Sequence, residues 1–147
     1  MDPLPSWLLT QTAAHAHRLV TDGFARVGAR GYHYRLLASL IEEGPASQAA
    51  LGRRTGIHLS DMVAALNELE EGGFVARAPD PADRRRNVIS VTAAGRKRSA
   101  QLARSAQEVQ DALLEPLDEA ERRALATLLG KLLDHHRQGI PPLPGDD

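Results

Sequence analysis

Three consecutive arginines, Arg84–Arg86, follow a turn-forming tract, Pro79-Asp80-Pro81-Ala82-Asp83. Four more cations, Arg96, Lys97, Arg98 and Arg104, come before the next acid. Residues 84–104 therefore carry +7, while residues 1–83 carry -3 and residues 105–147 carry -5. The 147-residue chain sums to -1, so its near-neutrality is a cancellation. A compact basic block sets up a local positive potential suited to a polyanion. The bland competitor is a solvated helix face joined to a charged loop, and the surrounding elements must decide.

Other chemistry finds less support. His15 and His17 are two apart and fall on different sides of a helix. His135 and His136 are adjacent, there is no His-Glu-x-x-His spacing, and no cysteine helps. No metal and no cofactor are expected. There is no Gly-x-Ser-x-Gly, no phosphate-binding loop and no paired carboxylate to place in a pocket, so an enzyme is not expected. Zero cysteines exclude disulfide frameworks and thiol chemistry. No apolar run approaches the ~18 residues of a membrane span, and the N-terminus lacks a basic leader. The expectation is a cytoplasmic chain with no membrane partner. Five aromatics are too few for a single-strand stacking surface.

The basic block needs a scaffold, and the flanking sequence supplies one. Residues 5–29 read as a long helix, weakened near its end by Gly23 and Gly28. A helix at 33–43 carries Tyr34, Leu37, Leu40 and Ile41 at helical spacing, and Gly44-Pro45 stops it. Ser47 can cap a short helix through residue 55. Met62, Leu66 and Leu69 make the inward face of a helix at 59–71. Two β-rich pieces, 74–77 and 88–91, flank the Pro/Asp tract as a hairpin with a long, projecting, mobile loop. Thr92 can cap a helix at 93–115 that ends before Pro116, with Leu102, Ala106, Val109 and Leu113 as a stripe. Asp118 and Glu121 make a capping box that opens a last helix bearing Leu125, Leu128, Leu129, Leu132 and Leu133. Residues 138–147 are expected to be a flexible tail.

Helix, short helix, turn, helix and hairpin over residues 33–91 is the order of a winged helix-turn-helix. Gly56 in the turn lets two helices cross steeply. The helix at 59–71 would enter a major groove, and the hairpin tip with Arg84, Arg85 and Arg86 would lie along the backbone or in a minor groove. The long amphipathic helices outside this lobe have few local partners, so they are expected to bury against a second copy or each other.

The stretch SQAALGRRTGIHLSDMVAALNELEEGGFVAR, followed by DPADRRRNVISVTAAGR, resembles the MarR (multiple antibiotic resistance regulator) family of bacterial winged-helix repressors. The most specific part is Asp83-x-Arg85, then Ile89, Val91, Thr92 and Gly95. It matches the family's wing signature, with Val91 where the family prefers Leu. The resemblance covers roughly residues 5–137. It implies a single, mostly α domain with a small β-hairpin wing. In it a winged helix-turn-helix lobe is flanked by N- and C-terminal dimerisation helices, 5–29 and 93–137. It also implies a homodimeric, ligand-responsive repressor on a pseudo-palindromic duplex operator. Arg85 would then enter a minor groove, where a guanidinium meets strong negative potential. Asp83 would brace it by a bidentate pair. The competing reading of Asp83 and Arg85 is a surface ion pair that closes the loop.

The helix at 59–71 departs from the family pattern. Family members often place a small polar residue and then Arg on its exposed face, and Asp61 and Ala64 stand at those positions here. The expected DNA-facing set is Ser47, Arg53, Arg54, His58, Ser60, Asp61, Ala64, Asn67, Asp83, Arg84, Arg85 and Arg86. Asp61 can accept from cytosine, Asn67 can read adenine, and Ser60, Arg53 and Arg54 can hold phosphates. Asp61 near phosphates is repelled, so base readout should be thin. A cleft with Trp7, His15, Tyr32 and His33 is a weaker candidate for a small lipophilic, phenolic anion, against an ordinary partly buried core. The departure at Asp61 and Ala64 also keeps an alternative open: a dimeric helical protein- or ligand-binding module that retains the fold without specific DNA readout.

Overall fold

The computed structural model describes residues 2–138. Most of the expected tail, from Gly139 onward, lies outside the described residues. The chain divides after Leu113 into two units. The first holds α1 (Pro5–Ala25), α2 (Gly31–Glu43), α3 (Gln48–Thr55), α4 (Leu59–Glu71), β1 (Val75–Pro79), β2 (Asn87–Val91) and α5 (Ala93–Leu113). The second holds α6 (Glu119–Arg137).

The apolar periodicities dictate the packing of the first unit. Leu36, Leu37 and Leu40 of α2, Leu51 of α3, and Met62, Leu66 and Leu69 of α4 are all almost wholly buried. Ile89 of β2 and Leu102 of α5 join them in one core. Each such side chain contributes about 1.5–3 kcal/mol by leaving water. The turn from α3 to α4 depends on Gly56, whose φ of 69° is left-handed and whose N–H bonds Gly52 O at 2.9 Å. Ser47 Oγ accepts from Ala50 N at 3.2 Å, the cap that its position implied.

β1 and β2 pair antiparallel, from Val75↔Val91 to Pro79↔Asn87. The strands therefore run further toward the tip than 74–77 and 88–91. The tip is not a loose loop: Ala82 N bonds Asp80 Oδ1 at 2.9 Å, Arg86 N bonds Asp83 O at 2.9 Å, and Asp80 N bonds Arg86 O at 2.8 Å. Asp side chains close such turns on their own backbone. A bridge that the sequence did not signal joins Ala46 to Ile89 by two hydrogen bonds of 3.0 and 2.8 Å. It makes β2 central and ties the wing to the start of α3.

Other boundaries also shift. α1 ends at Ala25 rather than 29, because Gly28 N–H bonds Ala25 O and Ala29 N–H bonds Phe24 O. α2 begins two residues early, at Gly31. α5 ends at Leu113, since Pro116 has no N–H to continue the ladder. Two of its four stripe residues, Leu102 and Val109, are buried within the chain, Ala106 and Leu113 are half-buried, and α5 packs along α1. At that crossing a Cβ on Gly23 would come within 2.5 Å of Val109 Cγ2, so Gly23 permits the helices to approach rather than merely weakening α1.

The second unit opens with the capping box that its sequence implied. Glu121 N bonds Asp118 Oδ1 at 2.8 Å, and Asp118 N bonds Glu121 Oε1 at 3.0 Å. No residue of α6 is buried, and Leu128, Leu129, Leu132 and Leu133 are exposed.

Where α5 leaves the wing, Thr92 Oγ1 accepts from Gly95 N at 3.0 Å and donates to Gly73 O at 2.7 Å. A Cβ on Gly95 would run into the carbonyl oxygen of Phe74. Backbone cannot yield as a side chain can, so Gly95→Ala is expected to destabilise the protein by about 2 kcal/mol or more. Urea denaturation would measure it, and a loss under about 0.5 kcal/mol, the usual range for surface substitutions, would contradict the close approach.

Candidate nucleic-acid interface

On α4 the buried face leaves Ser60, Val63, Ala64 and Asn67 exposed. These positions fall at i, i+3, i+4 and i+7, one stripe of the helix. The stripe is uncharged. Ala64 interrupts the polar pattern expected there, and Val63, not among the expected contacts, extends the apolar part. His58 Nδ1 and Ser60 Oγ share a hydrogen bond of 3.1 Å at the start of the helix.

Beside the stripe runs a groove lined by Ser47, Arg53, Asn67, Arg77 and Arg86, among others. It collects residues from the start of α3, the face of α4 and both wing strands. Ser47, Arg53, Asn67 and Arg86 were all expected to face DNA, and here they converge. Arg77 was not singled out, since it reads as an ordinary strand residue. Its Nη1 donates to Asn67 Oδ1 at 3.0 Å and to Glu70 Oε1 at 3.4 Å.

Two expected contacts sit elsewhere. Arg54 is turned away from the groove: its Nη1 donates to Gly44 O at 2.9 Å and its Nε pairs with Glu43 at 3.3 Å. It staples α3 to the end of α2. Asp61 is exposed but lies on the other flank of α4, along a cleft between α1, α2 and α4. Its charge is thereby set to one side of the stripe.

At the wing tip Asp83 Oδ1 accepts both Arg85 N, at 3.1 Å, and Arg85 Nε, at 3.3 Å. The brace thus uses one carboxylate oxygen rather than the two-oxygen fork expected. It leaves the outer guanidinium nitrogens of Arg85 in solvent, with 92% of the side chain accessible. Arg84 and Arg86 are exposed beside it. Within the basic block Arg98 departs: its Nη2 donates to Val27 O at 2.6 Å, and its guanidinium stacks over Phe74 at 5.6 Å.

The cleft is lined by Val20, Phe24, Arg30, Tyr32, Tyr34 and Arg35, among others. Of the four residues proposed for a small-ligand site, Tyr32 lines it, whereas Trp7 and His15 do not. Trp7 is 57% exposed, and His15 bonds Arg18 on the surface of α1. His33 is buried instead against α4. Its Nε2 lies 2.8 Å from Glu68 Oε2, and Arg30 N donates to its Nδ1 at 3.4 Å. Because Nδ1 accepts a backbone N–H, the proton belongs on Nε2, facing the carboxylate. Arg30 Nη2 holds the other oxygen of Glu68 at 3.3 Å. Among the described residues, no three His, Cys, Asp or Glu side chains are placed to hold a metal ion, and no helix is long and apolar enough to cross a membrane.

A sequence profile described as the MarR family matches residues 28–86. A crystal structure of a probable transcriptional regulator from Pseudomonas aeruginosa is 30% identical, with a TM-score of 0.79, over 89% of this chain and 98% of that one. The chain belongs to the MarR family. An uncharacterised HTH-type transcriptional regulator of Bacillus subtilis, YcgE, is 36% identical over 95 residues. That match takes in 65% of this MarR-family chain and spans 62% of YcgE's own length. The fold is shared also by Bordetella bronchiseptica BpsR, whose structure addresses regulation of its DNA binding by 6-hydroxynicotinic acid. BpsR is 22% identical, with a TM-score of 0.81, over 89% of this chain and 94% of that one.

Burial holds the pKa of His33 below its usual value, with the Glu68 hydrogen bond and charge opposing the shift and the charges of Arg30 and Arg98 adding to it. An unfolded His33 takes up its proton near pH ~6.5, while the folded one waits for lower pH. The unfolded state therefore binds more protons in that window, and stability falls as pH drops below about 6.5. Replacing His33 by Asn should flatten the loss between pH ~7.5 and ~5.5, measured by urea denaturation across that range. An unchanged slope would show that other groups carry it.

Proposed function

We propose that this chain is a sequence-specific, duplex-DNA-binding transcriptional regulator, a repressor that binds a pseudo-palindromic operator as a homodimer. The observation that carries the reading is the juxtaposition, on one lobe, of an uncharged stripe on α4 with a solvent-exposed arginine wing. Ser60, Val63, Ala64 and Asn67 match a major groove, where neutral and apolar side chains meet base edges and thymine methyls. Arg85, held by Asp83, matches an adjacent minor groove of high negative potential. Ser47, Arg53 and Arg86 along the groove between them suit phosphates. This work belongs in the cytoplasm, where the operator is, and asks for neither enzymatic activity nor a membrane.

The dimer reading rests on apolar surface that a lone chain leaves wet. Leu128, Leu129, Leu132 and Leu133 of α6, and Trp7, Leu8 and Leu9 of α1, are exposed in their own units. Patches of this kind mark interaction surfaces. Two copies also bring two wings and two stripes to half-sites one turn of duplex apart, ~34 Å.

Relief by a small lipophilic anion suits the cleft. Phe24, Tyr32 and Tyr34 give it aromatic walls. Ser39 lines it with a buried hydroxyl that has no hydrogen-bond partner among the described residues. Arg30 borders it while holding Glu68 of α4. An anion that recruits Arg30 competes with that pair, so it favours a differently held α4 and acts by differential affinity for two states.

The test is a salt titration of operator binding by fluorescence anisotropy. Each phosphate-neutralising contact contributes a slope of about -0.9 in log K against log salt. Arg85→Ala removes one such cation per protomer, so the slope should shrink by about 2 per dimer and affinity should fall by tenfold or more, about 1.4 kcal/mol. Unchanged affinity and slope would remove the wing from the interface. A folded monomer in sedimentation at low concentration would remove the dimer.

A further inference from the structure

We propose that Leu59 and Val63 read thymine by its C5-methyl group, so that recognition of the operator depends on methyls in the major groove. The inference rests on the DNA-binding reading above and names the base feature that α4 selects. The winged lobe, residues 31–91, exposes three large apolar side chains: Tyr32, Leu59 and Val63. Tyr32 lines the cleft. Leu59 and Val63, 63% and 38% accessible, both belong to α4. They stand at i and i+4, which makes them neighbours on the helix surface. A single exposed apolar residue is ordinary. Two neighbours on the helix that carries the reading stripe, beside exposed Ala64, form an apolar ridge.

The surroundings of the ridge point to its occupant. Val63 lines the groove together with Ser47, Arg53, Asn67, Arg77 and Arg86. An apolar protein surface would have nothing to offer those arginines, whereas a duplex meets them with phosphates. In its major groove a duplex presents hydrogen-bond donors and acceptors, and its apolar projection is the thymine C5-methyl. Leu59 and Val63 have no side-chain donor or acceptor. Facing guanine, adenine or cytosine, they would cover polar edges and pair none of them, which costs free energy. Facing thymine, they take a methyl out of water.

Sequence selection from random duplexes by the full chain yields the operator, and fluorescence anisotropy then reads the effect of single methyl groups. Replacing thymine by deoxyuridine removes the methyl and keeps every hydrogen-bonding group. At one or more thymines of each half-site, this replacement should weaken wild-type binding by about fourfold per half-site, the worth of one buried methyl. At the same positions 5-methylcytosine should bind better than cytosine by a similar factor. In the double variant Leu59→Ala, Val63→Ala the deoxyuridine penalty should fall below about twofold, while Arg85→Ala keeps it in full. Both sites are exposed and alanine favours a helix; should the double variant not fold, Val63→Ala decides by itself. A wild type for which no deoxyuridine replacement weakens binding overturns the proposal and leaves DNA binding standing. So does a penalty that the double variant retains, since another group would then hold the methyl. If the double variant changes the sedimentation of the protein without DNA, the ridge is a contact between copies and the proposal fails. A wild type that enriches no sequence fells the DNA-binding reading itself, and the methyl assignment with it.

Discussion

The lobe depends on how α4 is held. A helix that presents four small, uncharged side chains gains selectivity only if its orientation is fixed, because each contact is weak and short. The hydrophobic face, Met62, Ala65, Leu66 and Leu69, sets which side faces the core. Burial is non-directional, however, and leaves rotation about the helix axis poorly determined. Directional restraint comes from two polar clamps on opposite flanks. On one, Glu68 is gripped by Arg30 and His33 of the α2 start. On the other, Asn67 and Glu70 are gripped by Arg77 of β1. Charge-assisted bonds of this kind fix geometry more than they add stability. They make the face of α4 a function of both the cleft side and the wing side of the lobe.

A similar restraint governs the charges. A chain of net charge -1 cannot hold a polyanion by overall attraction, so the position of each cation matters more than the count. Arg84, Arg85 and Arg86 stand at a tip whose backbone is closed by Asp80 and Asp83. The acids there are occupied by turn hydrogen bonds, which tempers their repulsion of an anion nearby. Arg98 and Arg54 are withdrawn into the fold, each on a backbone carbonyl at a helix end, where a cation meets the negative end of the helix dipole. These five cations are therefore two populations, one structural and one presented.

What the sequence disclosed was what is local. Ser47, Thr92 and the Asp118–Glu121 box are caps whose partners lie three residues away, and each forms as its residue types imply. The apolar periodicities of α2 and α4 named the core correctly, because a 3.6-residue repeat fixes a face without reference to anything distant. Contacts between residues far apart in the chain were illegible. Arg98 finds Val27 across 71 residues, His33 finds Glu68 across 35, and Ala46 pairs with Ile89. No local propensity encodes these. Arg77 was missed for a related reason: a strand residue ten positions from Asn67 meets it only once the wing folds back on α4. Val63 sits three residues from Ser60, so helical spacing places it on the same face, although its apolar type alone signals a core position.

An uncharged reading face has a consequence for how such a protein must work. If α4 offers few hydrogen bonds and no cation to a major groove, one lobe alone discriminates weakly and relies on its wing for adhesion. Useful affinity then comes from two lobes engaged at once, where the second binds at the high effective concentration set by the first. Affinity that is a product of two modest terms is sensitive to the spacing and tilt of the lobes. The Arg30–Glu68–His33 contacts hold one flank of α4 at the border of a cleft with aromatic walls. On the proposed reading, thin readout and small-molecule control are complementary: a stronger α4 would hold DNA through the distortions that a ligand can produce, and a weaker one lets a modest shift release it.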